Sequence, residues 1–297
     1  MWDGRSAEQA RVDWGRDVAH VSSGTSFLPE DNPFAVVFAD ITHRCNMACL
    51  NCYIPNRDVP DMDADWLMSI LRRLPRRTRI RLVGAEPTVR KDLPDLIRRV
   101  RNLGHHPVIL TNGLTLARPG YARTLKKAGL HTIYLSMNGG LNDDCYDEID
   151  GLRCAKRKMR ALEVLSNENF FTTIGMILVR GVNEGQLKDF IAYLRTQSAV
   201  RDFHIRSIGQ FGRYMEDSKP FSSDELSDIV SDALEVDIRS LPTYESDRPS
   251  HTTFKHRNLH FQLTEWPDLG SPGRGRITPE GKIEPCFENI IANDGQY

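Results

Sequence analysis

Ala35-Val36-Val37-Phe38-Ala39-Asp40-Ile41 runs through Thr42-His43-Arg44 into Cys45-Asn46-Met47-Ala48-Cys49-Leu50-Asn51-Cys52 and then Tyr53. The first part is a short apolar run and reads as a buried strand. A C-x3-C-x2-C run follows directly from its C-terminal end, where parallel β/α architectures place their active sites. Four thiolates close a metal site, whereas three leave a position open. Thiolate ligands select soft metals, chiefly zinc, copper(I) or iron–sulfur clusters. A 4Fe–4S cluster normally takes four cysteines; with three, one iron is free to bind something that is not protein. Structural zinc with a distant fourth ligand, for example His43 or Cys286, is the alternative. Such sites usually pair cysteines at two separated places, which a single triplet fits poorly.

Outward from this stretch, apolar runs alternate with amphipathic ones. Strands are predicted at Ala35–Ile41, Arg79–Val83, His106–Leu110, Thr132–Met137, Thr172–Val179 and Asp202–Ser207. Helices are predicted at Asp65–Leu74, Leu93–Leu103, Ala117–Ala128, Ala155–Asn167, Glu184–Thr196 and Ser223–Leu234, the first with Asp63 or Asp65 as N-cap. Parallel strands with right-handed crossovers follow from this alternation. Six units fall short of the eight that close a barrel, so the expected fold is α/β, a partial (β/α)6 TIM-like barrel. Residues 1–34 read as a polar lead-in with a short helix over Ala7–Val18, and 35–236 as the barrel. Residues 237–297 are richer in Pro, Gly, His and Arg and read as a small C-terminal extension. Short β elements are expected there at Phe261–Leu263 and at Arg276–Thr278 and Lys282–Glu284, across the turn Pro279-Glu280-Gly281.

The 297 residues are ample for a core, and 40% hydrophobic with 27% charged is ordinary for a soluble globular chain. A formal net charge of −1 gives no global field toward nucleic acid or an anionic membrane. No apolar run approaches the roughly 20 residues of a membrane helix. The charged stretch Met1 to Ala19 has no apolar signal core. The six cysteines crowd toward one end, a metal pattern rather than a disulfide framework. A reducing cytoplasm fits best.

The triplet behind the first strand of a partial barrel resembles the radical S-adenosylmethionine (SAM) superfamily. The resemblance covers residues 35–210 and continues in order. Gly84-Ala85-Glu86-Pro87-Thr88 after the second strand resembles the family's GGEP motif, with Ala85 for the second glycine. Thr111-Asn112-Gly113 resembles its TNG turn. Ser136 and Asn138 end the fourth strand where relatives place a polar pair; turn capping is the alternative there. The fifth strand and its Arg180-Gly181-Val182-Asn183-Glu184 continuation resemble the adenine side. Many relatives carry an aromatic residue just before the third cysteine; that position is Asn51 here, and the aromatic is Tyr53.

The resemblance implies a 4Fe–4S cluster on Cys45, Cys49 and Cys52, with SAM on the open iron. It implies Gly84, Ala85, Glu86 and Pro87 at the SAM methionyl amine, and Thr111 and Asn112 in the adjoining turn. It implies Ser136 and Asn138 at the ribose, Tyr53 and Val179 at the adenine, and Arg206 near SAM or substrate, with surface solvation the alternative for a single arginine. Reductive cleavage of SAM then yields a 5′-deoxyadenosyl radical that abstracts hydrogen from substrate. The expected substrate is a small polar metabolite, such as a sugar, nucleoside or amino-acid derivative, in natural-product biosynthesis. Epimerisation, dehydration, decarboxylation and carbon–carbon bond formation all start from that abstraction. A peptide maturase is the runner-up, and a zinc-stabilised binding protein the reading from another class.

Arg276-Ile277-Thr278-Pro279-Glu280-Gly281-Lys282-Ile283-Glu284-Pro285-Cys286 resembles the hairpin of SPASM and twitch extensions, with one cysteine where those carry several. A second cluster is therefore not expected. Cys286 is a candidate hydrogen-atom donor, with a small buried hydrophobe as the alternative. Cys145 and Cys154 flank a helical segment and read as structural or exposed. The basic group at Arg72, Arg73, Arg76, Arg77, Arg79 and Arg81 lies opposite the expected active face. It reads as solvated surface and as a possible dock for an acidic flavodoxin- or ferredoxin-type reductant. Neither nucleic acid nor membrane is an expected partner.

Overall fold

The computed structural model describes residues 25–52, 54, 57–209, 219–243, 251–265 and 273–285. The expected N-terminal helix, Tyr53 and Cys286 lie outside the described residues. Six strands alternate with helices as far as residue 234. They are β1 (Val36–Thr42), α1 (Ala64–Leu71), β2 (Arg79–Gly84), α2 (Leu93–Asn102), β3 (His106–Thr111) and α3 (Tyr121–Lys127). Then come β4 (Thr132–Ser136), α4 (Asp143–Asp150), α5 (Ala155–Asn167), β5 (Phe171–Leu178), α6 (Leu187–Thr196), β6 (Val200–Ser207) and α7 (Ser223–Leu234). β1 to β6 are parallel and adjacent in chain order.

Local chemistry sets the helix ends. Asp63 caps α1 by accepting from Trp66 N at 2.7 Å. Ser222 and Glu225 form a reciprocal capping box at α7. α3 begins at Tyr121 rather than Ala117, because Pro119 disfavours the helical conformation at Arg118. The predicted helix 184–196 divides into a 3-10 turn, Glu184–Gln186, and α6. α4 was not predicted: it is short and acidic, with Cys145, Tyr146 and Ile149 as its buried apolar residues.

One face of the sheet carries Val37, Ala39, Ile41, Ile80, Leu82, Ile109, Ile133, Ile174 and Phe203. These pack against helix residues such as Leu67, Leu71, Ile97, Leu125, Leu162 and Phe190. Successive strand side chains point to opposite faces, so the other face carries Arg79 and Arg81, Tyr134 and Ser136, His204 and Arg206. β4 alternates buried with half-buried residues, as a sheet covered by helices on one face allows, whereas β1 is buried at six of its seven residues.

The C-terminal strands join this same sheet at both edges. β8 (Leu259–Thr264) pairs parallel with β6 and carries β7 (His251–His256) antiparallel beyond it. β9 (Arg274–Ile277) pairs parallel with β1 and carries β10 (Ile283–Pro285) antiparallel. Gly281 N donates to Thr278 O at 2.9 Å in the expected turn between them. The order is β10-β9-β1-β2-β3-β4-β5-β6-β8-β7, and the sheet does not close. No helix among the described residues is long and apolar enough to cross a membrane.

Candidate functional site

The cysteine loop leaves β1 and is tied at both ends by one residue. Arg90, 5% exposed, donates through Nη1 to Ile41 O and to Met62 O, each at 2.7 Å. Met62 N returns to Ile41 O at 3.1 Å. Inside the loop Thr42 Oγ1 donates to Asp61 at 2.6 Å, and Arg44 Nε to the same carboxylate at 3.0 Å. Arg44 holds that carboxyl below its usual range.

Cys45, Cys49 and Cys52 are all half-buried. Cys45 Sγ accepts from Met47 N at 3.4 Å and from Asn112 Nδ2 at 3.9 Å. Cys52 Sγ accepts from Arg57 Nη2 at 3.1 Å, while Arg57 Nη1 donates to Met47 O at 3.0 Å. The same guanidinium also reaches Cys45. Burial raises the Cys45 thiol and pushes Cys49 up to about 12, with the Asp150 charge adding to the shift at Cys49. Such thiols need a cation to become thiolates, which a coordinated metal supplies. Among the described residues no three His, Cys, Asp or Glu side chains are drawn together as a single metal ion requires.

The β2 and β3 turns meet at Glu86, which is fully buried. Its Oε1 accepts from Thr88 N at 3.0 Å, Thr88 Oγ1 at 2.6 Å and Thr111 Oγ1 at 2.7 Å. Its Oε2 accepts from Asn112 N at 2.7 Å. Burial raises its carboxyl and these four bonds oppose the rise. Ala85 N and Glu86 N bond to Thr42 O and Arg44 O, at 2.9 and 3.0 Å, stitching the turn to the cysteine loop. Gly84 has φ +148°, and a Cβ there would stand 2.0 Å from Thr42 O. Only glycine fits that approach. Cys45, Gly84, Ala85, Glu86, Thr111 and Asn112 therefore form one constellation; Pro87 opens its 3-10 turn.

A second group forms at the ends of β4 and β5. Both ends of the Asn138 amide are engaged within the chain: Nδ2 donates to Asp150 at 2.8 Å and Oδ1 accepts from Ile177 N at 3.0 Å. Asn183, fully buried, donates to Asn138 O and Ile177 O at 2.7 Å each and accepts from Val179 N at 2.8 Å. Val179 packs with Ile149 and Ile208. Ser136 is half-buried, and its carbonyl accepts from Lys158 Nζ at 2.9 Å. Arg206, also half-buried, lies opposite Ile177 and Thr264 in the sheet register.

Arg57, Arg90, Asp150 and Lys158 belong to no motif read from the sequence, whereas Asn183 lies in the Arg180–Glu184 stretch that continues the fifth strand. Cys145 and Cys154 are both buried. Cys145 Sγ meets Val182 O at 3.2 Å, and Cys154 packs beside the cysteine loop with Met47, Leu114 and Tyr146.

The radical SAM superfamily model matches residues 40–194, more than half of the 297. The chain belongs to the radical SAM superfamily. Its members are enzymes that use a 4Fe–4S cluster and SAM. The radical SAM chain is 32% identical over 187 residues to the 7,8-dihydro-6-hydroxymethylpterin dimethyltransferase of Methanocaldococcus jannaschii, covering 60% of itself and 37% of that protein. It is 27% identical over 165 residues to a probable GTP 3′,8-cyclase of Pyrococcus abyssi, covering 54% of itself and 53% of that protein. It thus spans between about a third and about a half of these two relatives. In fold it resembles Streptococcus suis SuiB bound to S-adenosylmethionine, with TM-score 0.66 and 17% identity over 88% of this chain and 62% of SuiB.

The residues present fit the cofactor. Three soft donors sit on one loop at a strand end, with the Cys45 and Cys52 thiols both reached by one guanidinium. Cys45, Cys49 and Cys52 would hold the cluster, leaving one iron for SAM.

Proposed function

We propose that this radical SAM enzyme acts on a small polar metabolite. The observation that carries this reading is the polar inner face of the sheet. There Tyr134 Oη meets His204 Nδ1 at 3.2 Å, His204 Nε2 meets Thr264 Oγ1 at 2.8 Å, and Arg276 pairs with Asp40 at 3.2 Å. A wall of hydrogen-bonding groups suits a ligand rich in donors and acceptors. The two relatives named above, a pterin dimethyltransferase and a GTP cyclase, are consistent with a small heterocyclic or nucleoside substrate.

When bound, the cluster and SAM supply a 5′-deoxyadenosyl radical. The chain's own part is to fix the cysteine loop through Arg90 and Glu86 and to present the ends of β4 to β6 to the nucleoside side of SAM. A flavodoxin- or ferredoxin-type donor in the cytoplasm is the proposed reductant. Exposed Arg72, Arg76 and Arg77 on the opposite face are its candidate dock, tested by the salt dependence of reduction.

A peptide substrate is the second reading. It is favoured by the fold likeness to SuiB, another structure of which holds its precursor peptide SuiA. Deuterium transfer from labelled candidates into 5′-deoxyadenosine separates the two. Transfer from a nucleoside, pterin or sugar panel supports the first reading; transfer from peptides alone overturns it.

A further inference from the structure

Behind the cysteine loop lies a buried ion pair. Lys158 on α5 and Asp150 at the end of α4 have side chains 1% and 2% exposed and meet at 3.3 Å. Lys158 Nζ also donates to Ser136 O at 2.9 Å and stands 4.9 Å from the Tyr146 ring centroid. The second Asp150 oxygen accepts from Asn138 at 2.8 Å. Desolvating two charges is costly, and a well-packed apolar pair is often as stable. Stability alone therefore gives little reason for charges here.

Their location gives one. Leu50 N, inside the cysteine loop, donates to Ile149 O at 3.3 Å. Gly151 approaches Ala48 so closely that a Cβ would lie 3.2 Å from its carbonyl oxygen. Cys45 and Cys49 pack against the apolar group that contains Tyr146, the ring beneath the ammonium. The loop that carries the thiols thus rests on the helix end that carries Asp150.

The geometry points to Asp150 and Lys158 as positioning residues that set the reduction potential of the cluster on Cys45, Cys49 and Cys52, Asp150 lowering it and Lys158 raising it. The inference rests on the cluster assignment of the triplet. One-electron reduction by an external donor adds one negative charge to the cluster. A nearby carboxylate opposes that charge and an ammonium favours it, and potentials of such clusters follow local charge. Buried charges are weakly screened.

The test uses the full chain reconstituted anaerobically with iron and sulfide, its midpoint potential read by dithionite titration under electron paramagnetic resonance. Asp150→Asn should raise the potential, and adding Lys158→Met to it should lower the potential again. The double variant removes both charges together, so it avoids the uncompensated carboxylate that Lys158→Met alone would leave. Opposite shifts support the inference, because a merely structural role gives no reason for opposite signs. Shifts in one direction, or none in a cluster-loaded protein, overturn it. A wild-type chain that takes up no cluster would overturn the cofactor assignment as well.

Discussion

Glu86 at the end of β2 holds Thr111 at the end of β3 through a 2.7 Å hydrogen bond inside a fully buried site. The next residue, Asn112, gives its backbone N–H to the same carboxylate and its side chain to Cys45. Glu86 thereby connects two strand-end turns to the metal-binding loop.

Glu86→Ala should cost roughly 3 kcal/mol or more, since it strands buried donors on Thr88, Thr111 and Asn112. Glu86→Gln should cost about 1–3 kcal/mol, because an amide N–H₂ then faces donors. Denaturant unfolding of the apo chain measures both. The cluster should also be retained less well in each, seen as faster loss of visible absorbance on exposure to chelator. Unfolding midpoints equal to wild type would contradict the brace.

Gly84→Ala tests the stitching of the same turn to β1. Alanine would have to adopt φ +148° with its Cβ 2.0 Å from Thr42 O. Backbone strain and overlap together should cost about 3 kcal/mol or more. Ala85→Gly, at the neighbouring motif position, should be tolerated far better. Equal melting temperatures for the two variants would refute the argument.

Much of this was legible in the residues and some was not. α5 and α7 fall where the alternation of apolar and amphipathic runs puts them, Ala155–Asn167 and Ser223–Leu234. The triplet and the Gly84–Thr88 and Thr111–Gly113 turns could be read because their residue types are rare in that order. α4 escaped because five acids in eight residues blur its apolar stripe. Lys158 escaped because a lysine on a helix ordinarily reads as solvated. The joining of β8 to β6 and β9 to β1 escaped because pairing across the sheet's ends depends on tertiary contacts no local pattern records.

His105 should make stability depend on pH. Its buried Nε2 donates to Leu71 O at 2.8 Å, and Nδ1 has no hydrogen-bond partner among the described residues. Burial lowers its pKa below the usual 6.5. Between 6.5 and that lowered value the unfolded chain binds the extra proton and the folded chain does not. Stability from this group is therefore complete above 6.5 and falls as pH drops through the window, by up to about 1.4 kcal/mol per pH unit. Unfolding of the apo chain at pH 7.5 and 5.5 should show a smaller drop in His105→Gln than in wild type. An identical drop would show that His105 contributes nothing to it.

Asn183 supplies the last test, because it clips β4 to β5 without facing solvent. It donates to Asn138 O and Ile177 O and accepts from Val179 N, so both ends of one amide are spent on backbone. Asn183→Asp replaces the donor with an acceptor facing two carbonyl oxygens. It should cost more than Asn183→Ala, which itself leaves three backbone groups without this partner at about 1–3 kcal/mol each at most. Asn138 and Val179 are the residues expected at the ribose and adenine, so SAM affinity should weaken in both variants, measured by calorimetry on the reconstituted protein. The order Asp worse than Ala is the diagnostic outcome: steric loss alone would rank them the other way, since aspartate nearly matches the shape of asparagine.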